Sequence, residues 1–137
     1  SVQLYRADGM TRVCIAVAEP PAGLRDTVPL GARISMGAGS GAKVLTAWAD
    51  PATQRAVLAG AVFTPQVLAQ VRRRGWAQSL AERESGVASV SAPVRDRAGN
   101  VVAAISVSGP TDRIGRRPGD RWAGDLLQAA EALTARL

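Results

Sequence analysis

Val87-Ala88-Ser89-Val90-Ser91-Ala92-Pro93-Val94 and Val101-Val102-Ala103-Ala104-Ile105-Ser106-Val107-Ser108 carry the clearest fold signal in the 137-residue chain. Both runs are rich in valine, serine and isoleucine, and neither contains a long charged side chain. Arg95-Asp96-Arg97-Ala98-Gly99-Asn100 between them has turn composition, so the pair reads as a β-hairpin. Side chains alternate faces along a strand. Ala88, Val90, Ala92 and Val94 therefore share one face of the first strand, and Val101, Ala103, Ile105 and Val107 share one face of the second. A turn centred between Arg97 and Ala98 pairs Val94 with Val101, Ser89 with Ser106, Ser91 with Ala104 and Val87 with Ser108. One face is then continuously apolar. The other gathers Ser89, Ser91, Ser106 and Ser108 beside Val87 and Val102.

A solvated sheet face usually carries longer polar or charged side chains. Small hydroxyls among small apolar residues suit the floor of a half-buried pocket, where each serine can donate one hydrogen bond to a carboxylate, carbonyl or hydroxyl. They equally suit a face packed under helices with each hydroxyl bonded to backbone. A second feature stands ahead of a helical run: Met36-Gly37-Ala38-Gly39-Ser40-Gly41. Glycines let backbone N–H groups approach a ligand, and the first turn of a helix leaves N–H groups unpaired and favours an anion. A plain strand-to-helix turn has the same composition. The loop is not a P-loop, because Ala42 separates Gly41 from Lys43. It is not a nucleophile elbow either, because the chain has no histidine to activate Ser40.

Outward from these features, Val2–Asp8 and residues 12–18 read as strands joined at Asp8-Gly9, with Glu19-Pro20-Pro21 stopping the second. Residues 24–30 are ambiguous. Residues 43–48 begin an apolar helical run, and Pro51 starts another through Val57, Leu58 and Val62. Thr64-Pro65 is a capped helix start; that helix sets Val67, Leu68 and Val71 on one face and ends at Gly75. Gly109-Pro110 terminates the last strand. Asp120 is placed to cap a final amphipathic helix with Trp122, Leu126, Leu127, Ala130 and Leu133 at helical spacing. Two strand pairs separated by helices indicate a single α+β domain over residues 1–137.

Composition narrows the function. Lys43 is the only lysine among seventeen basic residues, and the net charge is +6. Apart from Arg72-Arg73-Arg74 and Arg116-Arg117 the arginines are scattered, and aromatics are few, so a nucleic-acid surface is weakly supported; Arg72–Arg74 reads as a solvated helix face. Without histidine, Cys14 has no base to activate it, and zinc or triad chemistry has no support. Cys14 reads as a small core residue and a lone thiol of a reducing compartment. No residue pattern calls for a cofactor. No stretch is long and apolar enough to span a membrane.

Three segments together resemble the C-terminal domain of the IclR-type bacterial transcription regulators. They are Met36-Gly37-Ala38-Gly39-Ser40-Gly41-Ala42-Lys43-Val44-Leu45, the helix end Val71-Arg72-Arg73-Arg74-Gly75-Trp76, and Gly86-Val87-Ala88-Ser89 through Ala92-Pro93-Val94-Arg95-Asp96 with Ala104-Ile105-Ser106-Val107-Ser108-Gly109-Pro110. The resemblance implies a GAF-like α+β fold, a central antiparallel sheet flanked by helices. It implies a ligand-sensing, non-catalytic function: an organic or aromatic acid bound by Ser40 and Gly41 of the loop and by Ser79, Ser89, Ser106 and Ser108. It also implies a cytoplasmic homodimer or homotetramer whose DNA contact belongs to a winged helix-turn-helix domain absent from this chain. Ser79 and Ser89 depart from the acidic residue and cysteine found in relatives with small oxo-acid effectors. Two other readings of the residues remain: a ligand-free dimerisation module using the final helix and the apolar runs around Leu45, Trp48 and Leu58, or a Ser40–Lys43 hydrolase.

Overall fold

A computed structural model describes residues 1–19 and 28–136. Strands β1 (Val2–Asp8) and β2 (Thr11–Ala18) form the expected hairpin. Its two-residue turn runs through Gly9, whose φ of 62° is in the left-handed region where glycine has no Cβ penalty. Pro20, Pro21 and most of the ambiguous 24–30 stretch lie outside the described residues. The chain returns as a short edge strand, β3 (Arg33–Ser35), paired with β2.

Three helices follow: α1 (Ser40–Ala47), α2 (Pro51–Leu58) and α3 (Pro65–Arg74). Each proline helix starts as its sequence requires. Asp50 accepts from Thr53 N at 2.8 Å, Thr64 accepts from Val67 N at 3.3 Å, and proline occupies the first helical turn in both. Gly75, with φ 88°, ends α3. Residues Ala59 to Val62 lie beyond α2, and Val62 is exposed, so the expected apolar run ends at Leu58. The C-terminal carbonyls of α1 are held from outside the helix: Gln54 donates to Thr46 and Ala47, and Arg72 also donates to Ala47.

Strand β4 (Ala77–Leu80) leads to the hairpin β5 (Val87–Arg95) and β6 (Val101–Pro110), then to a single turn α4 (Thr111–Ile114) and the long helix α5 (Pro118–Thr134). β6 runs through Gly109-Pro110, so these residues end the strand from inside it. α5 begins at Pro118, which places Asp120 in the first turn; the cap position is Arg117. The proline ring, preset for the first helical position, wins over the side-chain cap.

All six strands pair antiparallel in the order β3-β2-β1-β6-β5-β4. The register of β5 and β6 differs from the expected one by two residues. Ser89 lies opposite Ser108, Ser91 opposite Ser106 and Val94 opposite Ala103, with a bulge between Val94 and Arg95. Asp96 explains the shift, because its carboxylate accepts from Ala98 N and Asn100 N and closes the turn from one side. A shift of two preserves the faces, so the apolar and serine faces survive it.

One sheet face carries α1, α2 and α3 over a core that includes Tyr5, Cys14, Met36, Val44, Leu68 and Val71. The other carries α5 against Ala88, Val90, Ala92, Ala103 and Ile105. Fully burying a side chain such as Leu68 contributes about 1.5–3 kcal/mol. Cys14 is buried, as expected, and burial pushes its thiol pKa up. Leu45 is buried in the first core, with Trp48 and Leu58 packed against it. Of the apolar runs offered as a dimerisation surface, Leu45 is therefore interior, while Trp48 and Leu58 are half-buried. Among the described residues, no helix is long and apolar enough to cross a membrane.

Asp50 supplies a pH test of this framework. Hydrogen bonds from the Thr53 backbone and hydroxyl hold its carboxyl below the ordinary value of 3.8. A depressed folded value means that the cap's contribution is complete above the ordinary value and lost as pH falls through the folded one. Asp50→Ala is therefore expected to melt lower than wild type at pH 7, with the gap closing progressively below about pH 3.8. Asp50→Asn keeps a capping oxygen without the titrating carboxyl, so its advantage over Asp50→Ala should not change with pH.

Candidate functional site

Ser40 is the first residue of α1, and its neighbours decide what it can do. Its Oγ lies 2.6 Å from both Ser89 Oγ and Ser91 Oγ. Ser89 Oγ in turn is 2.7 Å from Ser79 Oγ on β4, and the Ser91 hydroxyl is hydrogen-bonded to that of Ser106. Five hydroxyls thus form one chain, Ser79–Ser89–Ser40–Ser91–Ser106. Each hydroxyl has one proton to donate, and four links consume four of the five. One O–H is left to an outside acceptor. The serines bond to each other, not to backbone, which differs from a face simply packed under helices.

Ser40, Gly41, Ser79, Ser89, Ser106 and Ser108 all line a single cavity between the glycine loop and the β4-β5-β6 sheet. The structure thus brings together the six residues that the family resemblance implies as ligand contacts. It adds four that the sequence reading missed: Gln3 and Tyr5 from β1, Arg12 from β2, and Arg83 from the β4–β5 connection. Ser108 Oγ donates to Gln3 Oε1 at 3.0 Å. The free volume is about 20 Å³, room for about one ordered water.

Arg12 is the unexpected member. It is 2% exposed, although an arginine is almost never fully buried unless paired. One terminal nitrogen donates to the carbonyls of Ser35 and Ala38, fastening β3 and the glycine loop. The guanidinium carbon lies 5.1 Å from the centre of the Tyr5 ring, within cation–π range. Among the described residues no carboxylate pairs with it, and its Nε is buried without a hydrogen-bond partner. Burial lowers its pKa; Tyr5 works against that shift and the nearby Arg83 charge adds to it. Gly39 makes room for it, and Gly41 for the Tyr5 ring beside it. A Cβ on Gly39, whose φ is 101°, would come within 2.7 Å of an Arg12 nitrogen, and one on Gly41 would lie 3.2 Å from the Tyr5 ring.

Lys43 differs from its expected role. It is buried at 6% exposure, and its ammonium donates to Gln78 O at 2.8 Å and pairs with the Glu82 carboxylate. The other oxygen of Glu82 accepts from Gly39 N at 3.1 Å. Lys43 therefore ties α1 to the β4–β5 connection and is turned to these partners instead of Ser40. The Ser40–Lys43 nucleophile pair does not form. Arg72–Arg74 is likewise more than a solvated face: Arg72 holds Ala47 O, and Arg74 stacks on Trp76 at 3.8 Å. Among the described residues no cluster of three His, Cys, Asp or Glu side chains is placed to hold a metal ion.

Residues 1–135 match the family model described as the bacterial transcriptional regulator IclR C-terminal domain. The HTH-type transcriptional regulator XynR of Escherichia coli (strain K12) is 34% identical over 121 residues, covering 79% of this chain and 48% of that protein. The crystal structure of the C-terminal domain of the E. coli transcriptional regulator KdgR superposes with a TM-score of 0.79 at 26% identity, over 98% of this chain and 85% of that one. An IclR-family structure from Rhodococcus sp. does so with a TM-score of 0.84 at 33% identity, over 98% of this chain and 55% of that one. The chain spans about half the length of XynR. These relatives are regulators and not enzymes. By family model, relatives and fold alike, the chain belongs to the IclR family of bacterial transcription regulators and corresponds to its C-terminal domain.

Proposed function

We propose that this domain is the sensing half of a transcription regulator, and that a small organic acid binds in the cavity between the glycine loop and the serine face. The observation that carries this reading is the convergence of Ser40, Gly41, Ser79, Ser89, Ser106 and Ser108 on one cavity, where a hydroxyl chain keeps one donor uncommitted. The first-turn N–H groups of α1 add an anion-favouring end to the same cavity. An acid of several heavy atoms needs more room than about 20 Å³. Entry therefore involves movement of the cover, of which Arg83 and the Glu82 contacts are part. Binding would alter DNA binding by a separate winged helix-turn-helix domain through its different affinity for two arrangements of domains or of subunits in a homodimer or homotetramer.

The test is isothermal calorimetry and thermal shift against a panel of carboxylic acids. At least one acid is expected to raise the melting temperature. Ser106→Ala and Ser108→Ala should each weaken that acid about tenfold, the effect of losing one hydrogen bond to a charged group. Equal binding by wild type and both variants would remove the serine face as the site.

A further inference from the structure

Building on the reading of the cavity as an organic-acid site, we infer that Arg12 is the charge anchor for the ligand's carboxylate and that Gln3 donates to a second, uncharged acceptor on the same molecule. Nothing in the loop-and-serine arrangement requires a cation. Yet the cavity contains a guanidinium that is 2% exposed and has no counter-charge among the described residues. An ion removed from water without a partner is strongly destabilising, and arginine cannot escape by releasing its proton. A structural role explains only part of this arrangement. Fastening the Ser35 and Ala38 carbonyls occupies one terminal nitrogen, and Tyr5 offsets part of the charge, which leaves the guanidinium without a carboxylate and its buried Nε without a partner. A carboxylate placed against Nε satisfies both at once, because the guanidinium edge matches two carboxylate oxygens.

Gln3 shows the same incomplete pattern. It is 1% exposed, its Oε1 is held by Ser108, and its Nε2 is buried without a partner. Both unpartnered atoms belong to side chains that line the cavity, and both are donors. The wall therefore asks for acceptors: one anionic group at Arg12, and a hydroxyl or carbonyl oxygen at Gln3. A simple alkyl acid would leave the Gln3 amide unmade, which binding sites discriminate against strongly. Arg83, paired with Glu84 at 3.4 Å, lines the same cavity.

The closing experiment follows the Arg12 Nε–H signal of the 15N-labelled wild-type domain by NMR. The titrants are butyrate, 3-hydroxybutyrate and gluconate, with 3-hydroxybutyramide as the uncharged control, and melting temperature is recorded in parallel. At least one hydroxy acid should move the Arg12 Nε–H signal and raise the melting temperature, and the amide should do neither. Arg12→Met should weaken the binding acid at least tenfold. Gln3→Met should weaken 3-hydroxybutyrate or gluconate more than butyrate. If an acid binds while the Arg12 Nε–H signal stays still, the anchor is overturned and the organic-acid reading stands. The same holds if Arg12→Met keeps wild-type affinity or if the amide binds as well as the acid. If no carboxylate in this panel or the broader one binds, both are overturned. The wild-type NMR arm decides the matter even if Arg12→Met does not fold.

Discussion

Gly119→Ala is expected to lower the stability of the domain by about 2–3 kcal/mol, although alanine is the better helix former by up to about 1 kcal/mol. Gly119 is the second residue of α5, and helix propensity alone gives the wrong sign. A Cβ built there would stand 2.1 Å from Trp76 Cζ3, 2.2 Å from Trp76 Cη2 and 2.8 Å from Gln78 Oε1. The indole is a rigid plate with Arg74 stacked on it at 3.8 Å, so it cannot swing away as the end of a flexible chain would. Gly119 N also donates to Gln78 Oε1 at 3.0 Å, and pushing α5 outward breaks that bond. The expected loss corresponds to roughly 8–12 °C in Tm for a domain of this size. Putting the same change into a Trp76→Leu background should remove most of the cost, since the clash is with the ring. A Gly119→Ala domain that melts at or above wild type would show that α5 and Trp76 are not packed this closely.

Lys43→Met is expected to cost about 2–3 kcal/mol, somewhat less than a fully buried pair because Glu82 retains 22% side-chain exposure. Methionine keeps the apolar stem. It leaves Glu82 without its counter-charge and the Gln78 carbonyl without its donor. Pairing the change with Glu82→Gln should recover part of the loss, and the double-mutant coupling should exceed about 1 kcal/mol. Chemical denaturation gives the energy. Hydrogen exchange locates it, with faster exchange expected at Gly39, whose N–H rests on Glu82, and through residues 81–86. Additive single variants with unchanged exchange at Gly39 would mean that the pair does not fasten the cover.

The features that were legible in the sequence are those with long, regular patterns. The serine and apolar faces of β5 and β6 follow from strand alternation, and the helix starts at Pro51 and Thr64-Pro65 follow from proline placement, with capping at Thr64. The register was not legible, because the Asp96 turn and the bulge after Val94 set it. β3 and β4, at three and four residues, are too short to show a period and exist because a neighbouring strand supplies their partners. In the site, the serines and the glycine loop were visible as composition. Arg12 looked like one more scattered arginine, since its burial depends on Tyr5 and on the Ser35 and Ala38 carbonyls. The burial of Lys43 is not legible because Glu82, its partner, is 39 residues away. The one clue to Arg12 in the sequence is Gly39, whose missing Cβ leaves room for an Arg12 nitrogen.

The strand order has a kinetic consequence. β1 and β6 meet at the centre of the sheet, where Gln3 is opposite Ser106 and Tyr5 opposite Ala104. The sheet is two local three-strand units, β3-β2-β1 and β6-β5-β4, joined by this one seam between residues about a hundred positions apart. Such distant closure is slow relative to hairpin formation. The cavity walls come from both units, so the cavity comes into being only when the seam zips. During synthesis the cavity therefore cannot close before β6 has emerged. A ligand that bound the closed cavity would bridge the two units across these four residue pairs, so the unfolding rate of the domain should fall as such a ligand is added.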